Sequence, residues 1–522
     1  MIPNIKYKWC YIFLLLLVAV LIYLPGLPGG FIYDDYFNIL QNSAINNSDL
    51  ALSSSWSAMQ SGVSGPLGRP LAMLSFYLNY HLSGFSPASF KVFNIIVHAI
   101  NGVLVFIVMS CLLSVMQRRK SLVMNNIKME HLAFWVALLW AVHPINLTGV
   151  LYVVQRMTSM AATFTLLGIY YYIDLRDSKI KSIKETVIKL GFILLLGILA
   201  ALCKENGALL FLFLFAIECF VFQWRVITIQ ERWSLYVFYV FVLVLPSIIA
   251  GILLFNGELT ANYNSRDFNL AERVLTECRV LWFYIFQILL PQANLFGLYH
   301  DDFAVSRSLV QPISTLWSIL AFILITASAI KFPRQLSWLA LGLSFFIIGH
   351  LLESTIFPLN LVHEHRNYFP SIGIIFIFVI SLVLLVEKVK TLKSNVIFII
   401  ITILFSSITI SRAHDWGDMR LLGERLVQRH PESVTANYEM GYIYSKIFEQ
   451  TGDSSFGYVA QKALVSANSL SISNLQPAIA LAHINALLDE VEDNNLIKKI
   501  VSGFKDKKVT TVPRQPHVDQ LA

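Results

Sequence analysis

Apolar runs about as long as a bilayer crossing recur along the whole chain, separated by short polar turns, and this pattern restricts the fold more than any other feature. Runs are readable at 11–27, 90–115, 132–147, 149–173, 189–203, 206–222, 234–255, 313–330, 336–353, 371–386 and 395–411. They predict an all-α, polytopic membrane protein of about eleven transmembrane helices, since a hydrocarbon layer roughly 30 Å thick takes about 20 apolar residues per crossing. The composition agrees: 56% of residues are hydrophobic and 14% charged, against about 25% charged in soluble domains. Soluble, disordered and fibrous classes are thereby excluded.

Lys6 and Lys8 precede the first run, which ends in the turn Leu24-Pro25-Gly26-Leu27-Pro28-Gly29-Gly30 without an Ala-x-Ala-like cleavage site. A retained first helix with its N-terminus inside is predicted, and a cleaved signal is the alternative. The net charge of +7 comes from short basic clusters between the runs, a pattern that orients a membrane protein and gives no nucleic-acid partner. The run near 272–291 is ambiguous. Counting it as a span would place Lys388, Lys390 and Lys393 outside and strand Lys331 and Arg334 there, so it is predicted to be an interfacial or re-entrant helix. Arg118, Arg119, Lys120 and Lys128, then Arg176, Lys179, Lys181 and Lys184, then Arg225 and Arg232, fall on the cytoplasmic side. Everything after Ser411 lies outside, in a bacterial inner membrane the periplasm. The five cysteines show no paired spacing and predict neither disulfides nor a zinc site.

The polar residues concentrate on the external side. Segment 28–88 carries Asp34, Asp35 and Arg69; the turns carry His143, Arg156, Lys204 and Glu205; segment 354–370 carries His363, Glu364, His365, Arg366 and Asn367. Charge at membrane depth is costly unless it lines a polar cavity, so one external site is predicted. In Phe31-Ile32-Tyr33-Asp34-Asp35-Tyr36 adjacent carboxylates cannot share a helical face. One would act as a general base on an acceptor hydroxyl, and the other would orient it or hold a divalent metal. The alternative is a solvated turn capping a helix that begins near Asn38. His98 and His143 also read as hydrogen-bonded core histidines. His363 and His365 flanking Glu364 are a poor zinc signature.

Further segments follow in order. They are Leu67-Gly68-Arg69-Pro70-Leu71, Ser75-Phe76-Tyr77-Leu78-Asn79, Phe93-Asn94-Ile95-Ile96-Val97-His98, His143-Pro144-Ile145, Tyr152-Val153-Val154-Gln155-Arg156-Met157, Lys204-Glu205-Asn206-Gly207 and Glu364-His365-Arg366-Asn367-Tyr368-Phe369-Pro370. Taken with the acidic pair, they resemble the bacterial relatives of the TMTC and PMT protein O-mannosyltransferases, membrane glycosyltransferases of the GT-C type, over about residues 10 to 450. The resemblance implies that Asp34, followed by Asp35, acts at the acceptor and that the donor is a sugar on a polyprenyl phosphate. The chain has no Gly-rich phosphate loop that would take a nucleotide. The pair is Asp-Asp where many mannosyltransferases have Asp-Glu, and no soluble domain is inserted between spans seven and eight, so the donor sugar is not inherited with the fold.

A lipid-phosphate donor needs cations where the leaving phosphate gains charge. Arg366 with His365 is the first candidate, because a guanidinium holds two phosphate oxygens at once. Lys204, Arg156 and Arg69 follow, the alternative for Arg156 and Lys204 being an internal ion pair such as Lys204 with Glu205, or snorkelling. Glu364, Glu205, His143 and Asn367 are candidates for acceptor binding or structural support. No cofactor is required, though a divalent metal beside Asp34 and Asp35 is compatible with the pattern.

Residues 1–411 thus read as a GT-C-like transmembrane domain and 412–504 as a small external α-helical domain. Met440-Gly441 and Tyr444, with Pro431 ending the preceding helix, resemble a tetratricopeptide unit. Residues 505–522 read as a disordered tail. The leading function is an inverting glycosyltransferase acting on Ser/Thr hydroxyls of a protein acceptor. A polysaccharide or glycolipid polymerase or ligase with a lipid-linked donor is the alternative, and a transporter or membrane scaffold ranks lower. The topology has a direct consequence: an alkaline phosphatase fusion at Ser433 should be active and one at Lys179 inactive, and the reverse pattern would put Asp34 on the wrong side.

Overall fold

The computed structural model describes residues 5–505 except 48, 123, 125–126, 179–181, 227, 258–262, 264–265, 332–335, 390–393, 472–473 and 491–493. Lys179, Lys181, Arg334, Lys390, Lys393 and the tail from 506 onward therefore lie outside the described residues. The described chain is all-α, with no β-strand among its residues. A helix stands at each of the eleven predicted runs. Six are long and apolar enough to cross a membrane, or seven if a bent pair is one span.

The predicted count of eleven therefore does not follow from helix length. Ser337–His350 has 14 residues, an extent of about 21 Å at 1.5 Å per residue against the roughly 30 Å of a hydrocarbon layer. The run predicted at 132–147 is also not one rod. Met129–Ala141 and Pro144–Leu151 meet at 52°. Pro144 has no backbone N–H to continue the ladder, and the His143 side chain accepts the N–H of Ile145 instead.

The helix ends alternate between two poles. At one, Arg118 pairs with Asp177, the Ser337 hydroxyl donates to the Ser121 carbonyl, and His131 bonds Asn395. At the other, Lys91 near the start of Pro87–Arg118 donates to the carbonyls of Gly26 and Gly29 at 2.8 Å each, and reaches Trp416 near the end of Ser394–Gly417. That last helix was expected to stop at Ser411 but runs to Gly417, and Ala413 and Trp416 belong to the main core. Between the poles, Ile229–Phe255 leaves Val237, Val240, Phe241, Ile248 and Ile252 exposed. A contiguous apolar face of this kind matches a hydrocarbon surrounding better than water.

Leu270–Leu289 is amphipathic. It buries Arg273, Glu277, Val280, Tyr284 and Ile288 at helical spacing. Arg273 donates to the Glu353 and Thr355 carbonyls and Tyr284 to the His363 carbonyl, so the helix lies along the segment 353–363 at the second pole. Beyond Gly417, the helices Met419–Arg429, Val434–Thr451, Ser454–Leu470, Gln476–Leu487 and Asn494–Lys505 pack each on its predecessor. A second core of Tyr444, Ala460, Leu464, Ala478, Leu481 and Ile484 holds the later ones together.

The second pole depends on a close backbone approach. A Cβ on Gly29 would sit 1.9 Å from the Trp416 carbonyl oxygen and 2.9 Å from Lys91 Nζ. Gly29→Ala should therefore lower the thermal midpoint, with an overpacking cost of about 1–3 kcal/mol. Gly191→Ala, where a Cβ meets nothing within 4 Å, should not. Equal midpoints for the two variants in detergent would show that this junction yields without strain.

Candidate active site

The loop after the first helix is laid across the second pole by its own backbone. Phe31 and Ile32 are buried, Tyr33 takes a left-handed conformation (φ 45), and Asp34 and Asp35 follow. The two carboxylates differ in exposure and in work. Asp35 is fully buried; one oxygen accepts the N–H of Ile32 at 3.0 Å and the other that of Val154 at 2.7 Å. Asp34 is half-buried, and its N–H donates to the Tyr152 hydroxyl at 2.9 Å. A helical turn, Tyr36–Leu40, begins directly afterwards, with no side-chain cap bond from Asp35. The helix-cap alternative is thus not what the structure shows.

Burial sets the acidity of these groups. It pushes the Asp34 carboxyl up to about 6 against the lowering effects of Tyr152 and Arg69. Asp35 is pushed up to about 7, again by burial, with its two backbone bonds opposing and the Asp34 charge adding. A third carboxyl comes from the C-terminal helices: Glu439, on Val434–Thr451, is 6% exposed and is raised to about 8 by burial and by the Asp34 charge. Tyr33, Tyr36, Phe37, Glu439 and Tyr442 line a small cleft there, and the Tyr36 and Tyr442 ring centroids lie 5.6 Å apart.

The charge of Arg69 reaches Asp34. Arg69, itself at a left-handed φ of 52, pairs with Glu205 at 3.0 Å. Lys204 forms an internal ion pair, the alternative reading for it, but with Glu353 at 2.8 Å rather than Glu205, and donates to the Thr158 hydroxyl at 3.1 Å. Asn206 donates to the other oxygen of Glu353 at 2.7 Å. Arg366 uses its terminal nitrogens on the Leu361 and Asn360 carbonyls, while its buried Nε has no hydrogen-bond partner. Lys204, Arg366, Thr158 and Asn206 border one cavity whose remaining wall includes Phe213 and Phe369. Two cations and a hydroxyl above an apolar wall match an amphiphilic anion.

Other predicted site residues are framework. Arg156 was expected to reach a donor phosphate, but it is fully buried and its donors are committed to Asn94, Asn79, Ser75 and the Phe90 carbonyl. Its guanidinium also stacks on Phe93 at 4.3 Å. His143 donates to the Ile288 carbonyl and accepts from Ile145, leaving neither nitrogen for an acceptor. Glu364 pairs with Arg412 at 2.8 Å and accepts the Gly297 N–H, and Asn367 bonds His350. His365 stacks on His363 at 5.1 Å; burial, with Lys204 nearby, lowers its basicity. A metal on the acidic pair gains little support, because both oxygens of Asp35 are already used. The sequence reading missed Glu353, hidden at the end of an apolar run, and Glu439. Tyr152 stood in a quoted motif and was not singled out.

No family model matches the chain. Among curated proteins it is similar to the human protein O-mannosyl-transferase TMTC4, with 32% identity over 206 residues, 36% of this chain and 26% of that protein. A protein O-mannosyl-transferase of Caenorhabditis elegans is 23% identical over 447 residues, 82% of this chain and 59% of the relative. Human protein O-mannosyl-transferase TMTC1 is 30% identical over 203 residues, 37% of this chain and 22% of its own length. The chain thus spans about a fifth to three fifths of the curated relatives it matches.

The Lys204–Glu353 pair gives a test of the cavity. Side-chain exposures of 4% and 11% leave little water to screen a lone charge. Glu353→Gln should therefore destabilise the protein by about 3–5 kcal/mol, and Lys204→Met/Glu353→Gln together should recover much of that loss in thermal unfolding. A double variant no more stable than the single one would show that the pair is not energetically coupled.

Proposed function

We propose that this chain is an inverting membrane glycosyltransferase that moves a sugar from a polyprenyl-phosphate carrier to Ser or Thr hydroxyls of a protein on the extracytoplasmic side. In a bacterial cell that side is the periplasm and the membrane is the inner one. The similarity to protein O-mannosyl-transferases supports the glycosyl-transfer class. The observation that carries the reading is the division of labour at the second pole. One carboxylate, Asp34, is held in place by a second whose oxygens are both occupied, and a cavity with two cations and an apolar wall lies in the same polar region.

In this reaction Asp34 accepts the proton of the acceptor hydroxyl while the oxygen attacks the anomeric carbon. The bond to phosphate breaks with its electron pair going to the phosphate oxygen, where Lys204 and Arg366 balance the new charge. Retention would call for a second free carboxylate about 5 Å away as nucleophile. Asp35 is bonded to two backbone N–H groups, so single displacement with inversion is the better reading. Arg69 and His365 support the cation set, and Glu205 fixes Arg69.

The C-terminal helices, read as a tetratricopeptide-like unit, bring Glu439 and Tyr442 to the cleft beside Tyr33 and Tyr36, which supports an acceptor delivered from that side. A glycan acceptor is the second reading, favoured by the tyrosines of the same cleft, since flat rings also stack on sugars. A polymerase or ligase would then be the enzyme class.

Transfer from a polyprenyl-phosphate sugar to a peptide, measured with purified protein in nanodiscs, tests this. Asp34→Asn should lower the rate about 100-fold to 10,000-fold while donor binding persists. A base must be ionised to work, so the wild-type rate should rise with pH through about 6 and fall below it. Asp35→Asn should act mainly on yield and thermal stability. Full activity of Asp34→Asn would remove the base assignment, and transfer to glycolipid alone would select the second reading.

A further inference from the structure

We propose that His300, Asp302 and His430 form a binding site for one divalent cation of the zinc class, bridging the membrane-embedded helices and the C-terminal helices. The site is separate from Asp34 and the cation-lined cavity and does not depend on the reaction proposed above. One nitrogen of each histidine and one carboxylate oxygen of Asp302 lie within 4.8 Å of one another. Asp302 approaches His430 Nδ1 at 2.9 Å, and the two imidazole centroids are 4.4 Å apart at 76°. These separations place the donor atoms around a single centre after small side-chain rotations.

A second observation points to a ligand. Nε2 of His300 is buried without a hydrogen-bond partner, and His300 is 6% exposed, while His430 turns Nδ1 toward Asp302. Buried polar atoms of native proteins nearly always have a partner, so an unpaired imidazole nitrogen beside a second imidazole and a carboxylate calls for an electrophile. The second nitrogen of His300 is hydrogen-bonded to the Gly297 backbone, the arrangement that fixes the tautomer and orientation of a metal-binding imidazole. Two imidazoles with one carboxylate suit zinc and its neighbours in the transition series. Calcium and magnesium favour all-oxygen sets. The positive charge of nearby Arg412 is offset by Glu364 at 2.8 Å. Asp302 is exposed, which gives an ion a way in from water.

The position explains what an ion would do. His300 and Asp302 belong to the loop after Leu270–Leu289, whereas His430 closes Met419–Arg429. Between the two ligands of that loop, Asp301 already accepts from the Ser433 hydroxyl and from the N–H and hydroxyl of Thr435. The same three-residue loop therefore grips the start of the helix that carries Glu439 to the cleft. A cation shared by His300, Asp302 and His430 would fix that junction without adding a protein contact.

Metal analysis of the full-length protein, stripped with chelator in detergent and dialysed against zinc, should find about one zinc per chain, with a thermal midpoint that rises on zinc addition. Cobalt in its place should give the visible absorption of a nitrogen- and oxygen-ligated ion. His300→Gln and His430→Gln should each weaken zinc binding by about tenfold or more. Asp302→Asn, at the surface, should weaken it without disturbing the fold. The site is overturned if zinc content and the zinc-dependent midpoint are the same in the wild type and in Asp302→Asn. That comparison decides the matter even if the histidine variants fail to fold. An unchanged cobalt spectrum in Asp302→Asn overturns it equally.

Discussion

The carboxylate of Asp35 accepts one backbone N–H from Ile32 and one from Val154, and the second pole is assembled around that bridge. The two donors lie 119 residues apart from Asp35 in one case and 3 in the other, so a single buried side chain ties the first loop to the turn that opens Arg156–Asp177. Tyr152, at the edge of that turn, then meets the backbone of Asp34, and Lys91 closes the other side of the loop on Gly26 and Gly29. Removing a carboxylate from water is unfavourable unless donors replace the lost hydration. Here the replacements are backbone groups that would themselves be orphaned without it.

The same rule governs several other charges at depth. Arg412 answers Glu364, Arg273 answers Glu277, Lys204 answers Glu353, and at the opposite pole Arg176 answers Glu218 at 2.8 Å. Pairing alone therefore does not mark a functional cation. What separates Arg366 and Lys204 from Arg156 is their place at a cavity and, for Arg366, an unused Nε. Arg156 is packed among Phe76, Phe90 and Phe93, with its donors directed at fixed acceptors, and acts as a keystone for the surrounding helices.

Much of this was visible in the residue order, for definite reasons. The predicted interfacial segment 272–291 matches a helix, Leu270–Leu289, because Arg273 and Glu277 sit one turn apart with Val280, Tyr284 and Ile288 on the same face. Asn269 and Glu272 open it with a reciprocal capping box that can be read directly from the sequence. The break after Ala141 is likewise written in His143-Pro144. Glu353 was illegible because it closes an apolar run and its partner Lys204 lies in another helix–helix turn. Glu439 was hidden by a repeat pattern that labels its neighbours Met440, Gly441 and Tyr444 as packing positions.

By itself the sequence determined that the chain is helical and that its helices need an apolar surrounding. Those properties follow from hydrophobic period, proline position and charge placement, which act over a few turns of chain. Tertiary structure alone decided which charged groups remain available to a ligand. That choice rests on distances between segments far apart in sequence: the Asn94 and Asn79 oxygens that occupy Arg156, the Val154 N–H that occupies Asp35, and the short reach of Lys204 to Glu353. A residue type fixes how many donors and acceptors a side chain carries, and only the packed helices fix how many are already in use.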